Sequence, residues 1–251
     1  MIRIKPIVIT ASSMILISII GNVGQYIAGT SPFQFEDMDQ SYTYATEDID
    51  RLHIQADVGS IQISPHDDDE ILVALEGSQM RMQRNHVELQ HRLNDATLEV
   101  VMDREPRVQL FSIFPERHTL NVYVPDVDLE LVTVSTSVAN IEAQNVSSQA
   151  WRFYSDVGSI QGTNLNSQIE AETEVGAIRL DMDELVNDVT VRSSVGSITV
   201  AVKELPDMIQ SHVQTTVGVV DTEAITHIEP SGDAPKLDLQ TEVGSITVVN
   251  D

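Results

Sequence analysis

Cysteine is absent from the 251 residues, which excludes disulfides, thiol nucleophiles, thiolate zinc sites and a lipid-modified N-terminal cysteine. Stability has to come from the core. Basic side chains are scarce as well, 14 against 39 acids for a formal net charge of −25, and the only lysines are Lys5, Lys203 and Lys236. Such a composition offers no basic surface to neutralise phosphates, which argues against a nucleic-acid partner. There is no phosphate loop or dinucleotide fingerprint, and the histidines (His53, His66, His86, His91, His118, His212 and His227) are scattered without a metal signature. What the chain does have is 41% apolar residues, enough to build a substantial core.

Residues 6–27 carry no charge and include Ile7, Val8, Ile9, Ile15, Leu16, Ile17, Ile19 and Ile20. As a helix they would be about 33 Å long, enough to cross a bilayer core. Arg3 and Lys5 precede the stretch and Glu36, Asp37 and Asp39 follow it, which places the N-terminus in the cytoplasm and the bulk of the chain outside. A cleavage site ending at Ala28 or Gly29 would need a small residue where Tyr26 or Ile27 stands. Residues 1–29 are therefore expected to be a retained membrane anchor; were the segment cut as a signal sequence, the protein would be secreted. Residues 30–48 read as an acidic spacer above the membrane.

A valine-glycine pair followed two positions later by an aliphatic residue recurs along the rest of the chain. The corner glycines are Gly59, Gly158, Gly176, Gly196, Gly218 and Gly244, and a seventh copy, Val138-Ala139-Asn140-Ile141, lacks the glycine. From Val138 onward the valines are separated by 19, 18, 20, 22 and 26 residues. Each copy alternates apolar and polar residues with period two, as in Val189, Val191, Ser193 and Val195, then slips phase so that Ile198, Val200 and Val202 carry the apolar face. Two strands joined at a bend are implied, with glycine at the bend because it alone lets the backbone turn and a neighbouring layer approach closely.

Two residues before each valine stands a small side chain: Ala56, Thr136, Ser155, Thr173, Ser193, Thr215 and Thr241. If copies stack as rungs, these form one inward column at a tight corner. The expected fold is all-β, a β-solenoid-like ladder of short strands, which suits the shared corner chemistry better than a sandwich does. Residues 133–251 make the repeat region. Residues 49–132 read as a less regular β region continuous with it, with strands at 70–76, 87–93, 98–102 and 120–124.

The N-terminal span, the run Leu120-Asn121-Val122-Tyr123-Val124-Pro125 and the repeated Val-Gly-Ser-Ile units together resemble the putative-adhesin family. Its members are bacterial envelope proteins of unknown molecular function, often found in Gram-positive bacteria beside envelope-stress systems. The resemblance covers roughly residues 50–249 and departs at Ala139 and in the longer C-terminal gaps. It implies an envelope contact protein and supplies no catalytic residues.

The acids just before the corner valines, Asp57, Asp156, Glu174 and Glu242, are the best candidates for chemistry. Asp156 and Glu174 belong to adjacent copies and could lie one strand apart, about 4.8 Å, near the separation of a retaining glycosidase pair. Their position is Ser137, Ser194 and Thr216 in other copies, which favours a solvated polar face. Stacked acids could also take divalent cations, as could Asp67, Asp68, Asp69 and Glu70, although these lack calcium-loop spacing. Trp151 and Phe153 stand at inward positions and read as core. The functional expectation is a non-enzymatic envelope interaction protein without a cofactor, contacting an envelope protein, a wall polymer or itself. An accessory role in envelope-stress sensing and a glycan-active β-helical enzyme are the alternatives. The last strand candidate, 246–249, is expected to close the ladder and to offer a free edge for docking.

Overall fold

The structure, a computed structural model, describes residues 35–80, 87–104 and 117–250 together with parts of 14–29. Among the described residues the strands are β1 Phe35–Ala45, β2 Arg51–Pro65, β3 Glu70–Met80, β4 Val87–Asn94, β5 Thr97–Arg104, β6 Arg117–Val124, β7 Leu131–Gln144, β8 Ala150–Val157, β9 Ile160–Thr163, β10 Gln168–Val175, β11 Ile178–Glu184, β12 Val189–Val195, β13 Ile198–Glu204, β14 Gln210–Val217, β15 Val220–Asp221, β16 Lys236–Val243 and β17 Ile246–Asn250. Most of the anchor segment lies outside the described residues, and among those described no helix is long and apolar enough to cross a membrane.

Each repeat is a rung with two limbs joined at a corner; from β2 onward the limbs of successive rungs pair in parallel, β5 and β6 also lie parallel to β2, and the outermost N-terminal pairs β4–β5, β1–β3 and β3–β6 are antiparallel. The first limbs run in the order β4, β5, β2, β7, β8, β10, β12, β16, β14, and the second limbs β1, β3, β6, β2, β7, β9, β11, β13, β17, β15. The fold is thus an all-β parallel ladder of solenoid type. β2 and β7 pass through the corner unbroken, whereas later rungs divide at it.

The core is a set of stacked columns. Leu52, Val132, Trp151, Ile169, Val189 and Leu237 form one on the first limbs, and Ile61, Ile141, Ile160, Ile178, Ile198 and Ile246 another on the second; all are 1% exposed or less. Trp151 and Phe153 stack with ring centroids 5.2 Å apart. The small Ala171 stands opposite Phe153 in the next rung, and on the second limb Gly162 lies opposite Ala143, where a methyl carbon added to the glycine would sit 2.9 Å from the Leu180 side chain. A third column, Leu129, Val146, Leu165 and Leu185, comes from the turns between rungs. There Asn145 and Asn164 take left-handed φ of 52° and 53°, and the Asn164 amide donates to the Asn145 carbonyl oxygen at 2.8 Å. This polar ladder suits asparagine, which tolerates that conformation.

Two expectations are corrected. Residues 35–45, taken as part of an acidic spacer, form β1, paired antiparallel with β3 along its whole length. Glu36, Asp37 and Asp39 mask the strand in sequence, because only Met38 and Tyr44 face inward strongly and backbone pairing supplies the rest. The C-terminal strand is not the free end of the ladder either. β16 lies between β12 and β14, and β17 between β13 and β15, so the last stretch of chain is inserted inside a rung laid down before it.

Candidate interaction surface

The corner is built by close backbone approach. A methyl group added to Gly158 would overlap the carbonyl oxygen of Ala139. The same holds for Gly176 on Gly158, Gly196 on Gly176, Gly244 on Gly196 and Gly218 on Gly244. Gly59 instead meets the His118 carbonyl oxygen, 2.6 Å from the position of such a methyl carbon. The small column lies just inside the glycines. The hydroxyls of Ser193, Thr241 and Thr215 donate to the corner carbonyls of Gly176, Gly196 and Gly244 at 3.2, 3.1 and 3.0 Å. A larger side chain at either column would force the rungs apart.

The corner valines leave the core at this bend. Alternation along the first limb predicts them inward; instead Val138, Val157, Val175, Val195, Val243 and Val217 are 45–61% exposed. The inward position next to the corner is already taken by the small column, and the turn at glycine swings the valine to the outside. Register makes the six valines direct ladder neighbours in that order. At about 4.8 Å per strand they form an aliphatic ridge about 24 Å long.

Beside the ridge runs the row that held the acid candidates. Asp156 and Glu174 stand on adjacent strands, both exposed, whereas Glu242 has Ser194 and Thr216 as neighbours because β16 is inserted there. Asp57, at the other end, is half-buried. An acid and its partner in glycoside cleavage work in a cleft that holds the sugar and excludes water, whereas Asp156 and Glu174 are both exposed and neither lines the groove on the outer face of the first limbs. The turn 67–70 lines a shallow depression with His66, Glu47 and Asp126. Among the described residues no group of three or more histidine and acidic side chains is placed to share an ion. His91 packs against Tyr42 and Tyr44 at the N-terminal end, with ring centroids 4.1 and 5.6 Å apart, His118 is buried, and His86 lies outside the described residues.

The outer face of the first limbs carries a feature the sequence reading did not single out. A groove of about 270 Å³ spans β10, β12, β16 and β14, lined by Glu172, Arg192, Gln214, Gln240 and Glu242. At its side Asp238, 5% exposed, accepts hydrogen bonds from the Lys236 ammonium at 3.0 Å and the Gln240 amide at 2.8 Å, with the Arg192 guanidinium at 3.6 Å. Burial alone would raise its pKa, but the two hydrogen bonds and the two cations outweigh it and hold the carboxyl below its ordinary value. Three strands away on β8, Tyr154 is shifted up, by burial first and then by the Glu170 carboxylate. Asp238 was hidden as a polar spacer between Leu237 and Leu239. The available signal was Lys236, one of three lysines in the chain.

The family model described as Toastrack DUF4097 matches residues 49–166 and again 126–248, two overlapping passes over the ladder. No curated protein matches the chain in sequence. Among solved structures, a putative cell adhesion protein from Clostridium sporogenes is 16% identical with a TM-score of 0.55, over 86% of this chain and all of that one. A putative adhesin from Bacteroides fragilis is 18% identical with a TM-score of 0.37, over 84% of this chain and 97% of that one. The first of these similarities is one of fold.

Proposed function

We propose, since this chain belongs to the Toastrack DUF4097 family, that it is a non-enzymatic contact protein of the cell envelope, anchored by residues 6–27 with its acidic ladder outside. The observation that carries this reading is the valine ridge. Six aliphatic side chains are held half-exposed, in register, by a corner whose core columns do not need them. Contiguous exposed apolar surface on a soluble ladder marks a place of contact. The carboxylates of Asp156, Glu174 and Glu242 along the ridge, in a chain of net charge −25, select the occupant. The ridge takes an extended segment of an envelope protein that presents an aliphatic row flanked by basic side chains.

The test uses a synthetic peptide alternating valine and lysine as probe, and a variant carrying Val157→Thr, Val175→Thr and Val195→Thr. Threonine keeps the branched shape and β preference while removing a methyl group from the contact. The variant should bind the peptide at least tenfold more weakly, and should lose the envelope protein that cross-links to the wild-type chain in its native membrane. Equal binding and equal recovery by the two chains would remove the ridge from the reading.

A further inference from the structure

Strand β14 is the last of the first limbs. It pairs with β16 along one edge, and among the described residues no strand pairs with the other. Alternate residues of this eight-residue strand point their N–H and C=O groups at the open edge, a template for a further strand. The second limb of the same rung is closed differently. β15 is only two residues long, and the 3₁₀ turn Glu223–Ile225 packs on β17 and buries Ile225. The opening is thus confined to β14.

The composition of that edge says what fits it. β14 reads Gln-Ser-His-Val-Gln-Thr-Thr-Val, with no acid, no lysine or arginine, no proline and no glycine. The edges at the other end of the ladder carry the usual protection: β1 has Glu36, Asp37 and Asp39, and β4 has Glu88 and Arg92. In a chain of net charge −25, two copies meet edge to edge with least repulsion where the facing strands are uncharged. The inward row of β14 points the same way. Ser211, Val213 and Thr215 stand where β16 has Leu237, Leu239 and Thr241, and Val213 is left half-buried at the end of the core.

We propose that a second copy of this chain pairs antiparallel with β14 about a two-fold axis, joining two ladders end to end into one continuous sheet. Core-facing rows stay continuous only when residues of like parity face one another. A pairing centred on Val213 does this, setting Ser211 opposite the partner's Thr215 and His212 opposite the partner's Gln214.

A cysteine-free chain makes the test clean. The full-length variant His212→Cys/Gln214→Cys, oxidised in membranes, should give a reducible species at twice the 27.7 kDa of the chain. Glu88→Cys on β4 should give none. Sedimentation of the full chain in detergent should show a dimer, and His212→Glu/Gln214→Glu should reduce it to monomer, because both side chains are exposed and the added charges repel across the axis. The proposal is overturned by a monomeric wild type, by a dimer that survives the two glutamates, by equal cross-linking through Glu88→Cys, or by capture of a different protein at β14.

Discussion

Asp238 lies on the outer side of β16 and is nonetheless 5% exposed, with the charged ends of Lys236 and Arg192 at 3.0 and 3.6 Å. Its carboxyl is held below the ordinary value, so the unfolded chain takes up its proton first as pH falls. The stability it contributes is present above about pH 4, the unfolded value, and disappears as pH drops through the lower folded value. Asp238→Asn should therefore cost about 2 kcal/mol at pH 7, in the range of hydrogen bonds to charged groups. Measured by urea unfolding, the gap between the two proteins should narrow steadily between pH 5 and pH 2. A gap of unchanged size at pH 2 would mean that shape rather than charge holds the site.

At the level of elements, the insertion of β16–β17 couples the ends of the chain's last three rungs. Val195 pairs with Val243, and Val243 with Val217, so among the described residues β14 pairs with the ladder through β16, a strand synthesised after it. Truncating the chain after residue 234 should leave β12–β13 protected from hydrogen exchange and strip protection from β14–β15. Persisting protection in β14 would show it docked directly on β12, a register the shared corner chemistry allows. That same equivalence limited the reading of the sequence. The corners, the phase slip and the columns of Leu237 and Ile246 type were legible because period-two alternation and glycine leave distinct marks. The order of rungs was not, since every copy presents the same Val-Gly corner to its neighbours. One clue existed in the inward residues: Leu237 and Leu239 need cover on both sides, whereas Ser211 and Thr215 tolerate an end. The outward turn of the valines left no mark, because alternation describes a straight strand, whereas the ladder register is interrupted between Thr173 and Val175 and at the equivalent positions of its neighbours. Nor did alternation reveal Asp238, whose significance depends on Arg192 lying one strand away.

The whole molecule carries 39 acids and 14 bases, so most carboxylates have no cation to pair with, and the ladder sets some of them, such as Asp156 and Glu174, on neighbouring strands. Against this stand exposed pairs including Arg51–Glu130 at 2.6 Å, Arg179–Asp181 at 2.6 Å and Lys203–Asp183 at 2.6 Å. Exposed pairs of that kind contribute about 0–1 kcal/mol each and weaken in salt. Repulsion among the surplus acids weakens in salt too, with the opposite effect on stability. The excess of acids decides the balance: screening removes more repulsion than attraction. Thermal unfolding should therefore shift upward by several degrees as sodium chloride rises from 20 mM to 500 mM, and level off once the screening length, about 4 Å at the upper concentration, falls below the spacing between strands. The same salt should weaken the lysine-bearing peptide on the valine ridge, where attraction is between opposite charges, and strengthen pairing through β14, where the remaining force between two acidic bodies is repulsive. A parallel response of both contacts to salt would show that one of them does not involve the surface assigned to it.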